Sequence, residues 1–105
     1  MCKLRKELNR VSYEVMDDIQ NIINNPAIKA EKRAKDLIID TWHYDLKRAM
    51  DNLENDYDKS VMYGFNNFFT HNHAKKLSMD DLIAMMSAVI SIMNSVRDGD
   101  FNENR

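Results

Sequence analysis

Residues 78–99, SMDDLIAMMSAVISIMNSVRDG, decide the fold. Ser78 is a helix N-cap, Asp81 supplies the acidic half of a capping box, and Leu77 with Leu82 has the spacing of a hydrophobic staple. Arg97 in the last turn and Gly99 just beyond it mark the end. Between these signals, Leu82, Ile83, Met85, Met86, Val89, Ile90, Ile92, Met93 and Val96 leave only a narrow polar stripe of Ser87, Ser91, Asn94, Ser95 and Asp98. A helix apolar over most of its circumference needs cover on several sides. The pattern therefore predicts an all-α fold: a small three- or four-helix bundle with this last helix central or at a dimer interface.

Upstream, Tyr57, Val61, Phe65, Phe68 and Phe69 form an aromatic stripe that predicts a helix over 57–70. The polar stretch Thr70-His71-Asn72-His73 reads as the loop that follows it. Apolar residues at helical spacing from Ala27 through Ala30, Ala34, Ile38, Trp42 and Leu46 to Leu53 predict a helix over 26–54, broken near Asn55-Asp56. Leu4, Leu8, Val11, Val15, Ile19 and Ile22 predict the first helix, 3–24, stopped by Asn24-Asn25-Pro26. Residues 100–105 read as a polar tail.

The 105 residues suffice for one domain, 1–105. With 44% hydrophobic and 30% charged residues the chain is globular, and two Gly and one Pro leave few turns, hence long helices. A net charge of −2 gives no global field that would draw nucleic acid or an anionic membrane. The lone Cys2 cannot form an internal disulfide, which points to a reducing compartment. Charges at Lys3, Arg5, Lys6 and Glu7 replace the apolar core of a signal peptide, and the run Leu82 to Met93 is short of the ~20 residues of a membrane span. The expectation is a cytoplasmic protein with no membrane contact.

No motif specifies a reaction. His71-Asn72-His73 only spells the name of a nuclease family whose motif is dispersed over a ββα metal site. Asp40 and His43 have the carboxylate-x-x-histidine spacing of helical di-iron bundles, but such sites need two of these motifs and only one is present. Asp98 to Asn104 and Glu54 to Asp58 alternate like calcium loops without the glycine at loop position 6 or the glutamate at 12. Glu14, Asp17, Asp18, Asp36 and Asp40 would suit Mg²⁺ on facing helices, as in all-α nucleotide pyrophosphatases, although the doubled acidic motifs of that family are missing. A metal-dependent nucleotide hydrolase is thus the third reading, and the expectation is no enzyme, no cofactor and no metal.

The first reading is a non-catalytic interaction module that inhibits or regulates a larger protein partner. Its anchors are expected at Tyr63, Phe69, Met86, Ile90 and Met93, aromatic or flexible thioether side chains suited to adaptable contacts. Size, helicity and lack of catalytic motifs resemble small bacterial immunity proteins and phage-encoded inhibitors of host defence, a likeness at the level of fold alone. A homodimer is the alternative use of the last helix. The second reading is nucleic-acid binding through Lys29, Lys32, Arg33 and Lys35, where the interleaved Glu31 and Asp36 argue for a solvated mixed-charge face.

Overall fold

The computed structural model describes residues 3–98, in five helices and, among those residues, no strand. Helix α1 is Lys3–Ile23, α2 Glu31–Asp51, α3 Asp56–Asn66, α4 His71–Lys76 and α5 Met79–Asp98. Cys2, the Gly99 stop signal and the tail at 100–105 lie outside the described residues.

The chain folds as an antiparallel bundle in which α3 and the short α4 together make the third leg. Trp42 beside Phe65, Asp40 beside His71 and Lys35 beside Leu77 show that leg running back along α2. Helix α5 then turns at Glu31, whose carboxylate accepts from the Met79 amide at 3.1 Å, and returns antiparallel to α1, with Ser12 near Met93 and Asn9 near Arg97. The molecule is elongated, 46 × 23 × 22 Å.

Helix α2 ends at Asp51 rather than residue 54, and three further boundaries differ from the sequence reading for a local reason. Helix α2 begins at Glu31 rather than residue 26, because Asn25 turns the chain on itself: its side chain accepts from the Ala27 amide and its carbonyl from the Ile28 amide. The predicted helix 57–70 stops at Asn66, and Thr70 caps a new helix by accepting from the His73 amide at 3.2 Å. His71-Asn72-His73 is therefore the first turn of α4 and not a loop. At α5, Ser78 Oγ accepts from the Asp81 amide at 3.1 Å, the N-cap that the sequence signals.

Of the two places expected for the last helix, central or at a dimer interface, the central one is taken by α2. Helix α2 packs against every other leg of the bundle, whereas α5 rests mainly on α1 and meets α2 only lightly. The core forms from Leu8, Val11, Val15 and Ile19 of α1, Ile38, Trp42 and Leu46 of α2, Met62 and Phe69 of the third leg, and Leu82, Met86 and Met93 of α5. Trp42 is wholly buried, its indole N–H donates to the Phe65 carbonyl at 3.1 Å, and its ring meets Phe69 edge-on with centroids 5.0 Å apart.

Trp42→Ala is expected to cost ~3–5 kcal/mol in urea unfolding, the usual range for emptying a large aromatic site. Trp42→Phe keeps much of the volume but removes the indole donor to the Phe65 carbonyl, which still accepts from the Phe68 amide at 3.2 Å, costing ~0.5–1.5 kcal/mol. Equal losses in the two variants would contradict the packing role of the indole.

Candidate functional site

Two features stand out: the outward face of α5 and an acidic cleft between α1 and α2. On α5, Leu82, Met86, Val89, Ile90 and Met93 turn inward, and Ile83 and Val96 pack partly buried against the same core. Met85 and Ile92 are left 41% and 43% exposed, with Ala84 and Ala88 exposed between them. Met85, Ala88 and Ile92 are spaced three and four residues apart, the repeat of a helix seam that a second helix can occupy. The small side chains at Ala84 and Ala88 permit close approach there.

Four of the five anchors expected from sequence belong to the core and not to a surface. Phe69 packs on Trp42, Met93 lies against Ser12 of α1, Met86 is 1% and Ile90 8% exposed; of the five only Tyr63, on α3, is open to solvent, at 55%. The sequence shows that α5 is apolar on nearly every side but not which side the bundle covers. Met79–Arg97 is also long and apolar enough, with mean hydropathy 1.3, to cross a membrane by length and composition, and 28% of it is buried.

The basic residues do not gather into one face. Lys29 lies in the turn before α2, Lys32 pairs with Asp36 at 3.4 Å, Lys35 donates to the Leu77 carbonyl at 2.8 Å, and Arg33 is exposed. Lys32 and Lys35 do share a small depression of about 280 Å³ with Lys75, but Asp36 sits in its wall. The structure also separates Asp40 from His43: Asp40 pairs with His71 at 2.9 Å, and His43 bonds Asn66 at 3.1 Å.

The acidic cleft is an open depression of about 350 Å³ between Glu14 and Asp18 of α1 and Leu37, Asp40, Thr41, Tyr44, Asp45 and Arg48 of α2. It thus joins three of the five acids noted in the sequence, whereas Asp17 is exposed elsewhere and Asp36 faces Lys32. Glu14 is already neutralised by Arg10 at 2.9 Å and Arg48 at 3.5 Å. Among the described residues, no three His, Cys, Asp or Glu side chains are placed to hold a metal ion together.

Asp45 is the residue that the sequence reading missed. It is 1% exposed, and its Oδ2 is buried without a hydrogen-bond donor. The spacing Ile38, Trp42, Asp45, Ala49 contains the signal, because it puts a carboxylate on the apolar stripe of α2. Burial pushes the Asp45 carboxyl up from 3.8 to about 7, helped by its hydrogen bond to Asp18 and by the charges of Asp18 and Glu14, with Arg48 opposing. Two carboxyl groups can hydrogen-bond only when one of them holds a proton, and the raised carboxyl of Asp45 is the one that keeps it. Comparison of the chain with protein-family models, curated proteins and solved structures gives no match.

Between the unfolded value of 3.8 and the folded value of about 7, the native chain keeps a proton that the unfolded chain has released. Stability is then lost as pH rises through that window, by up to about 1.4 kcal/mol per pH unit, and the loss levels off above it. Asp45→Asn is expected to melt near the wild-type temperature at pH 4 and clearly above it at pH 8. A melting difference that does not change with pH would contradict the raised carboxyl.

Proposed function

We propose that the protein is a non-catalytic helical interaction module that inhibits or regulates a larger protein partner through the outward face of α5. The supporting observation is the combination of an apolar helix with partial cover: Met85 and Ile92 stay open although every neighbouring turn of α5 contributes to the core. Covering the part of each side chain that stays exposed, 41% of Met85 and 43% of Ile92, would recover roughly 0.6–1.3 kcal/mol apiece. The three-and-four spacing suits a partner that presents an amphipathic helix, with Met85 and Ile92 as adaptable apolar anchors on either side of Ala88.

In this reading the protein acts as immunity-type proteins and phage-encoded inhibitors do, by covering part of its target rather than by altering it chemically. Tyr63 on α3 is a second, separate anchor. Homodimerisation competes for the same seam, since an antiparallel pair centred on Ala88 would set Met85 of one copy beside Ile92 of the other. The cytoplasmic placement expected from sequence agrees with such a role and is part of the proposal.

Capture from host lysate with wild-type protein and with the double variant Met85→Lys, Ile92→Lys tests the proposal. Both positions are exposed, so the variant is expected to melt within a few degrees of wild type while its capture of the partner falls at least tenfold. Lys47→Glu, at an exposed position on α2, is expected to leave capture unchanged. Capture that survives the double variant would overturn the α5 interface. Light scattering on the same samples reads the competing outcome, a wild-type dimer that the variant converts to monomer.

A further inference from the structure

The cleft between α1 and α2 contains a buried carboxyl whose hydrogen-bonding neighbour is another acid, Asp18. Asp45 is 1% exposed, it lines the cleft, and its Oδ2 meets no donor. The acids around it are already divided among other groups: Glu14 between Arg10 and Arg48, and Asp40 with His71. Asp18 remains as the neighbour of Asp45, and a carboxylate brings no donor unless a proton is held between the two. A buried acceptor left open costs about 1–3 kcal/mol, which makes a ligand that donates to it favourable.

We propose that this cleft is a receptor for a guanidinium group, which enters beside Tyr44 and donates to the Asp45 and Asp18 carboxylates. A guanidinium carries parallel N–H donors matched to a carboxylate and tolerates loss of water better than an ammonium. The space, about 350 Å³, lies within the range of small-ligand sites. Tyr44 is exposed at the cleft and already carries the Arg48 guanidinium 6.0 Å from its ring centroid, so a stacking surface stands at the entrance. The site is independent of the α5 face.

Binding exchanges one proton for one cation. Asp45 gives up its proton, that proton passes to solvent, and the guanidinium takes its place. The charged groups facing the pair are Asp18 and Glu14 from α1 and Arg48 from α2, with Asp40 and its partner His71 at the α4 side. With the Asp45 carboxyl near 7, affinity is expected to rise about tenfold from pH 6 to pH 8.

The test is titration of the full chain with agmatine and, separately, with glycyl-arginyl-glycinamide, followed by amide NMR shifts at Asp18, Thr41 and Asp45. Methylurea, which has similar donors but no charge, is the neutral control. Saturable shifts with either cation, tightening with pH and weakened at least tenfold by Asp45→Asn, are the expected result. Preference for agmatine indicates a free small molecule, and preference for the peptide indicates an arginine of a protein. Absence of saturable shifts with both cations, or binding that Asp45→Asn and pH leave unchanged, would overturn the site. The melting temperature of Asp45→Asn confirms that the variant is folded, and Tyr44→Ser, at an exposed position, gives a second variant expected to weaken binding severalfold.

Discussion

The indole of Trp42 is the contact on which the bundle depends. It lies where α2 meets the third leg, fully buried, and it satisfies the carbonyl of Phe65 in the last turn of α3 while its ring meets Phe69. Those two contacts hold both ends of the break between α3 and α4. The break in turn lets Thr70 cap α4 and brings Leu77 back to Lys35, so that α5 starts beside Glu31 and returns along α1. With α2 at the centre of these contacts, α5 is left as an outer helix.

That arrangement accounts for the contrast between the two surfaces of interest. An outer helix that is apolar nearly all round cannot bury all of itself, and Met85, Ala88 and Ile92 are what remains outside. Between α1 and α2 the difficulty is reversed, because a carboxylate on the apolar stripe of α2 is forced into a contact that offers it no donor. The first surface is short of apolar cover and the second is short of a positive hydrogen-bond donor. Each deficit specifies a different ligand chemistry.

The sequence carried much of the fold but less of either site. Helices α1 and α5 are legible because their caps and periodicity agree, as Ser78 and the run from Leu4 to Ile22 show. The start of α2 is not, because Ala27 and Ala30 suit a helix while the side chain of Asn25 closes a competing turn. The break after Asn66 is hidden in the same way, since Phe68 and Phe69 continue the aromatic spacing of α3 across it. Periodicity locates an apolar stripe but not its neighbours, which is why Phe69, Met86, Ile90 and Met93 read as anchors and prove to be core. Asp45 was visible as a misplaced acid on the stripe of Trp42, yet its partner Asp18 lies on another helix, a pairing that only the tertiary structure supplies.

An interface on α5 requires that the Ala88 face be open to solvent in the folded monomer. Thiol labelling measures this, using Ala88→Cys and Met86→Cys in a background where Cys2 is replaced by Ser. Prompt labelling at position 88 in dilute native protein, with position 86 reacting only at the rate of unfolding, is the predicted result. Equal protection at the two positions under conditions where the chain is monomeric would mean that the bundle covers that face itself, and would contradict the account.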